Sequence, residues 1–290
     1  MDLRFTKMHG CGNDFVVIDD RALEWDLDED AVRMLCDRRF GIGADGIILV
    51  RPATVPGADF LMYYINSDGS LAEMCGNGVR VFAKYLVDRG LVTGDEFTVQ
   101  TLGGLKAMTI TRDEGGRMLA ARVNMGEPVL EPALIPTTLA GECADGAVMD
   151  CPIDTELGEV RVTCVSMGNP HAIIWVDDVD TAPVHILGPL VENHPAFPRR
   201  TNVEFAQAFP REDRVRLRVW ERGCGETLAC GTGACATAVA AILSCRSGRT
   251  CTIELPGGDL VIGWSPDGDV FMTGPAEEVF EGVWSIPDEE

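Results

Sequence analysis

Lysine is nearly missing from this chain. Lys7, Lys84 and Lys106 are the only three in 290 residues, and a pyridoxal enzyme needs a lysine to carry its Schiff base. None of the three sits in a motif suited to holding a phosphate, which disfavours pyridoxal chemistry. Basic charge is scarce altogether: 24 Lys and Arg face 46 Asp and Glu, a formal charge of −22. Such a surface repels phosphate backbones and anionic lipid, which argues against nucleic-acid and membrane partners. A pocket can still oppose the global sign locally and admit an anionic small molecule. Long apolar runs are lacking too. The longest, around "ACATAVAAIL", is too short to span a bilayer, and the opening "MDLRFTKMHGCGND" has no signal-peptide core. No C-x-x-C pair occurs, and Cys224, Cys230, Cys235, Cys245 and Cys251 follow no usual metal spacing, so no metal site is expected.

Cysteine itself is plentiful, at eleven residues. With no export signal, the count fits a reduced, cytoplasmic setting in which most cysteines are small buried apolar residues. The length suits two domains of about 145 residues each. Three features recur in one order. Gly12-Asn13 precedes "DFVVIDD" and Gly168-Asn169 precedes "PHAIIWVDD", 156 residues later. Cys75 opens "CGNG" and Cys230 opens "CGTG", an offset of 155. Gly103-Gly104 and Gly257-Gly258 interrupt apolar stretches, an offset of 154. Three nearly equal offsets predict two copies of one α/β unit.

Short strand-like runs mark the first copy as "DFVVID", "GIILV", "LMYYIN" and "FTVQT", and the second as "AIIWV", "NVEFAQA", "RVRLRVW" and "CTIEL". A helical pattern follows each Cys-Gly-x-Gly. In 79–89, Val79, Phe82 and Leu86 are apolar, Arg80, Lys84 and Asp88 form a polar stripe, and Gly90 is placed to end the helix. In 234–245 the run is apolar nearly all round, which predicts a buried helix. The Pro-rich segment 128–136 sets the expected boundary. The expectation is a domain over 1–127, completed by a returning strand in 277–290, and a second over 128–276.

A cysteine at a helix start gains from the helix field, which favours thiolate, and the unpaired N–H groups of the first turn form an anion site. Flanking glycines let a carboxylate approach the backbone closely. Each copy thus offers a thiol beside a cradle: Cys75 with Gly76-Asn77, and Cys230 with Gly231-Thr232. If the copies face each other, one thiolate removes a proton from a carbon while the opposite thiol delivers one to the other face. Singly, either motif reads equally well as a small residue in a tight turn; the duplication favours chemistry. A Cys75–Cys230 disulfide would be an inactivated form.

At these residues the chain resembles the diaminopimelate epimerase family. "MHGCGNDFVVID", "DRRFGIGADGIILV", "NSDGSLAEMCGNGVR", "MGNPHAII", "TNVEF" and "ERGCGETLACGTGACA" appear in family order over essentially the whole length. "MCGNG" separates this branch from proline racemases, whose turn usually carries His after the first Gly. The resemblance implies two pseudo-symmetric, duplicated α/β domains, each a mixed, curled sheet around a central helix, with the active site in the interdomain cleft. It implies a cofactor-independent enzyme, commonly a homodimer, that interconverts LL- and meso-2,6-diaminopimelate for lysine and peptidoglycan synthesis. By position, Cys75 and Cys230 would be the two bases, usually called donor and acceptor for one direction. Gly76, Asn77, Gly231 and Thr232 would hold the reacting carboxylate. Asn13, Asn66, Asn169, Asn202, Glu221 and Arg222 would recognise the rest, and His171 and Glu221 would tune the thiols. The residue types agree: Arg222 suits a carboxylate, Glu221 an ammonium. Where some members place a substrate-contacting Gln, Gly46 stands, so contact there would come from backbone. Cys11 is a third cysteine near the first motif, read as packing. Alternatives are a same-fold racemase of histidine or proline type, a non-catalytic amino-acid-binding protein, and a zinc-binding regulator.

Overall fold

The computed structural model describes residues 2–140 and 146–285. Met1, Cys143 with its neighbours in 141–145, and 286–290 of the C-terminal segment lie outside the described residues. The chain divides into two compact units, Met1–Val123 with Gly274–Glu290, and Asn124–Thr273.

In the first unit, β1 (Asp2–Gly10) and β2 (Asn13–Asp19) form an antiparallel hairpin. Its two-residue turn is Cys11-Gly12, both at positive φ (53° and 82°), the turn whose twist matches paired strands. Helix α1 (Glu29–Cys36), capped by the Asp28 side chain on Ala31 N, leads to β3 (Gly46–Pro52), which lies parallel to β2. β4 (Phe60–Asn66) returns antiparallel to β3. Helix α2 (Gly76–Asp88) then crosses over to β5 (Glu96–Thr101), parallel to β4. β6 (Gly104–Arg112) and β7 (Met118–Gly126) continue as an antiparallel meander.

The second unit repeats this scheme. β8 (Cys151–Thr155) pairs antiparallel with β9 (Gly158–Ser166), and β9 with β10 (Pro170–Trp175). Helix α3 (Val184–Glu192) leads to β11 (Asn202–Phe209), parallel to β10. β12 (Arg214–Glu221) is antiparallel to β11 and carries a short extra strand, β13 (Gly225–Thr227). Helix α4 (Gly231–Leu243) crosses to β14 (Thr250–Leu255), parallel to β12, and β15 (Gly258–Trp264) and β16 (Val270–Gly274) close the meander. The chain then returns to the first unit as β17 (Glu277–Ser285), antiparallel to β1, where β8 stands against β9 in the second unit. Strand for strand, apart from β13, the two units are copies of one mixed α/β design.

Each sheet curls around its crossover helix. α2 packs on β1 to β4, and α4 on β9 to β12, β14 and β15. β2 and β3 are buried on both faces. Val16, Ile18, Ile47 and Leu49 meet Val32 and Leu35 of α1, which by strand alternation leaves Phe15, Val17 and Ile48 for α2. The apolar α4 is buried almost throughout, as its composition predicts.

The helices begin at Gly76 and Gly231, so the Gly-x-Gly segments are their first turns, as the helix-start reading expects, and the periodic patterns from 79 and 234 begin three residues inside them. The polar stripe of α2 is buried or half-buried, and paired. Arg80 is fully buried, and Lys84 is paired with Asp88 at 2.8 Å. Burial is tolerable for Arg80 because its guanidinium donates to the carbonyls of Gly76 (2.9 Å) and Pro275 (3.2 Å) and to Asn77 Oδ1 (3.0 Å). Gly90 ends α2 as expected, at φ 67°, with Gly90 N donating to Val87 O and Leu91 N to Leu86 O. In α4 the same arrangement is made by Cys245, at φ 55°, with Cys245 N on Ile242 O and Arg246 N on Ala241 O.

Candidate active site

Cys75 and Cys230 are the N-cap residues of α2 and α4, and their backbones nearly superimpose: φ −136°, ψ 119° and φ −124°, ψ 112°. In each, the sulfur accepts from the N–H three residues on, Gly78 N at 3.3 Å and Gly233 N at 3.4 Å. This is the N-cap bond normally made by Ser, Thr, Asp or Asn, with sulfur as acceptor. The remaining N–H groups of both first turns, at Gly76-Asn77 and Gly231-Thr232, follow directly. Each unit therefore presents a thiol and an anion-binding helix end as one local structure.

The surroundings of the two sulfurs differ. Cys75 is half-buried, and its Sγ lies 3.8 Å from Asn13 Oδ1. Cys230 is buried, 3.5 Å from Thr232 Oγ1. Burial, reinforced by the negative charges of Glu221 and Glu204, pushes the Cys230 thiol well up. The Thr232 and Gly233 contacts oppose this without reversing it. The sequence-level expectation of a helix-lowered thiol is thus overturned for Cys230: desolvation outweighs the helix end.

Beneath the first turn of α4 lies a buried polar pair. His171 Nδ1 is 2.6 Å from Glu204 Oε1, both side chains wholly buried, and His171 Nε2 is 2.9 Å from Asn169 Oδ1. Burial raises Glu204 above the ordinary carboxylate range, against the pull of His171. Glu204 Oε2 has no hydrogen-bond partner among the described residues. Sequence reading missed Glu204. The signal was present: β10 and β11 align His171 with Asn202 as β2 and β3 align Phe15 with Gly46. Glu204 therefore stands where the first copy has Ile48, and His171 where it has Phe15. A charged residue inside an apolar strand, at a position its own repeat fills with Ile, is a departure legible in the sequence.

The other candidates fall into place by unit. Asn13 Nδ2 donates to Asp45 Oδ2 (2.7 Å) and its Oδ1 accepts from Asn77 Nδ2 (3.2 Å). Asn66 ends β4, bonded to Ser70 through backbone and side chain. Gly46 is buried in the ladder between Phe15 and Asn66, and a Cβ there would lie 2.5 Å from Tyr64 Cε2, so packing accounts for this glycine. Asn202 is buried, with Oδ1 accepting from Arg222 N (2.9 Å) and Nδ2 donating to Pro170 O (2.9 Å). It anchors the turn that presents Arg222, which is exposed and donates to Arg199 O (3.0 Å). Glu221 Oε1 accepts from the Thr227 hydroxyl at 2.5 Å. Cys11 is buried in its turn beside Arg80 Nη2, at 3.6 Å. Lys7 is buried in an ion pair with Asp14 (2.6 Å). Among the described residues no group of three or more His, Cys, Asp or Glu is placed to hold a metal ion, and no helix is long and apolar enough to cross a membrane.

Comparison with known proteins agrees with this architecture. Of solved structures, a phenazine biosynthesis protein of the PhzF family from Bacillus anthracis matches 99% of this chain and 100% of its own with a TM-score of 0.71 at 15% identity. A hydroxyproline epimerase from Agrobacterium vitis matches 99% and 93% with a TM-score of 0.70 at 17% identity. At such identities these likenesses establish the fold alone. Sequence relatives are far nearer. The diaminopimelate epimerase of Moorella thermoacetica is 53% identical over 287 residues, covering 98% of this chain and 100% of its own. That of Pelotomaculum thermopropionicum is 50% identical over 285 residues, covering 97% and 99%. The sequence profile of diaminopimelate epimerase matches residues 5–131 and 163–279. With both halves matched and two N-cap cysteines in the repeated motif, the chain belongs to the diaminopimelate epimerase family.

Proposed function

We propose that this protein is a cofactor-independent isomerase that interconverts LL- and meso-2,6-diaminopimelate, a step of lysine biosynthesis. The observation that carries the reading is the pair of N-cap cysteines, Cys75 and Cys230, in a chain about half identical to diaminopimelate epimerases over nearly its whole length. One thiol from each unit acts on a single α-carbon. A thiolate takes the α-proton and becomes a thiol, while the opposite thiol gives its proton to the other face and becomes a thiolate. The proton count of the enzyme is unchanged, and the reverse direction exchanges the roles.

The cradles at Gly76-Asn77 and Gly231-Thr232 stabilise the charge that spreads into the reacting carboxylate as the carbanion forms. Asn13, Asn66, Asn169, Asn202, Glu221 and Arg222 recognise the remainder of the diamino-dicarboxylate. The raised Cys230 thiol rests in the protonated form, ready to donate. For it to accept, an ammonium of the substrate must offset the carboxylate charge of Glu221. His171, tied to Glu204, tunes the same sulfur through the first turn of α4. A cytoplasmic homodimer belongs to this reading.

Turnover of LL-diaminopimelate against a panel including proline and histidine tests it, with solvent deuterium expected at the α-carbon of product. Cys75→Ala and Cys230→Ala should each abolish epimerisation in a folded protein. Near-normal turnover in either variant, or preference for a single-headed amino acid, would overturn the assignment. Light scattering of the purified protein checks the dimer.

A further inference from the structure

Asparagine side chains are ambiguous by nature, since oxygen and nitrogen are nearly isosteric, and their orientation follows from partners that can only accept or only donate. Beside Cys75 two asparagines are in series, and each end of the series terminates on such a partner. Asp45, ion-paired with Arg38 at 2.7 Å, accepts from Asn13 Nδ2 at 2.7 Å. A carboxylate cannot donate, so the Asn13 amide nitrogen must face Asp45 and its oxygen must face away. At the other end Arg80, buried and donor-only, reaches Asn77 Oδ1 at 3.0 Å. The Asn77 nitrogen must therefore face Asn13, and it donates to Asn13 Oδ1 at 3.2 Å. The two ends, 35 positions apart in sequence, impose the same polarity. Its result is a carbonyl oxygen, Asn13 Oδ1, held 3.8 Å from Cys75 Sγ.

We propose that Asp45 and Arg80 are positioning residues of the active site, fixing the Asn13–Asn77 amide pair so that the Asn13 carbonyl oxygen faces the Cys75 sulfur. The sulfur then sits between a donor, Gly78 N, and an acceptor, Asn13 Oδ1. An acceptor at that place supports S–H and repels S⁻, so it opposes the helix end and makes the Cys75 thiolate costlier in the free protein; substrate that displaces or reorients the contact removes that cost. An inverted Asn13 would instead offer N–H to the sulfur and favour the thiolate. The inference rests on the two-thiol reading for its importance, but its physical content concerns Cys75 alone.

The test uses alkylation of the whole enzyme by iodoacetamide, which consumes thiolate. The modified cysteines are read peptide by peptide by mass spectrometry, and the rate at Cys75 is expressed relative to Cys230 in the same molecule. Asp45→Ala, at a partly exposed side chain, should raise that ratio about threefold to tenfold, the span expected for losing or inverting one hydrogen bond. Arg80→Met should act in the same direction from the other end. Asp45→Glu and Arg80→Lys, which keep an acceptor and a donor in place, should stay near the parent value. A loosened fold would open the buried Cys230 more than the half-buried Cys75 and would lower the ratio, the opposite of the expected change. Should Arg80→Met not fold, Asp45→Ala with its Asp45→Glu control decides alone. An unchanged ratio in folded Asp45→Ala overturns the proposal, and loss of epimerase activity by itself does not bear on it.

Discussion

Gly78 and Gly233 occupy the same place in the two repeats, the third residue after each N-cap cysteine, yet alanine should be received differently at each. A Cβ at Gly78 would meet Cys75 Cβ at 3.3 Å, Ile48 Cδ1 at 3.5 Å and Cys75 Sγ at 3.6 Å, contacts that small side-chain shifts accommodate. A Cβ at Gly233 would lie 2.8 Å from Glu204 Oε1. That oxygen cannot retreat cheaply, because it is wholly buried and holds His171 Nδ1 at 2.6 Å. Alanine gains about 0.5–1 kcal/mol over glycine within a helix. Overpacking a core costs about 1–3 kcal/mol, and stranding a buried polar partner costs about as much again. Gly78→Ala should therefore fall within about 0.5 kcal/mol of the parent. Gly233→Ala should lose about 2 kcal/mol net, a fall in Tm of about 4–8 °C for a unit of this size. Thermal and urea unfolding followed by circular dichroism measure both. If Gly233→Ala were as stable as Gly78→Ala, the Glu204 carboxylate would not be the rigid floor beneath Cys230.

Glu204 also links stability to pH. Burial raises its folded value above the ordinary 4.5, so the folded state holds this proton more tightly than the unfolded chain. Stability from this group is therefore greatest at low pH and declines from about 4.5 up to the raised folded value. Glu204→Gln removes the decline, and the variant should gain on the parent in urea midpoint as pH rises from about 4.5 through the raised folded value. A constant difference would refute it. Asp14 has the opposite sign: although burial raises it, hydrogen bonds from Arg38 and Lys7 hold it well below its usual 3.8. Its contribution is present above that value and disappears as pH falls toward the depressed folded value. Asp14→Asn should cost about 2 kcal/mol near neutrality, with the gap to the parent closing in acid urea titrations. Cys245 holds a left-handed cap on α4 that glycine holds on α2, so Cys245→Gly should add about 1 kcal/mol to unfolding free energy.

The sequence by itself determined the duplication, the two Cys-Gly-x-Gly helix starts, the eight strands it named and the buried character of α4. These features are local or periodic. Glycine placement, alternation and an offset of about 155 residues are printed along the chain and need no partner to be read. Helices α1 and α3 went unnamed because they are short. α3 also carries Pro189 inside it and Gly188 packed where a Cβ would lie 2.6 Å from Trp220 Cγ, a sequence that reads as loop until its packing is known. Only tertiary structure decided how each thiol is held. The helix field acting on Cys230 is a local property and predicts a lowered thiol. Desolvation and the charge of Glu204, 26 residues before Cys230, are set by the fold, and with Glu221 they reverse the sign. Likewise the polarity of Asn13 depends on Asp45, 32 residues away, and on Arg80 through Asn77. A hydrogen-bond direction is a property of the whole chain of partners, so it exists only once the fold has brought the last donor and the last acceptor into place.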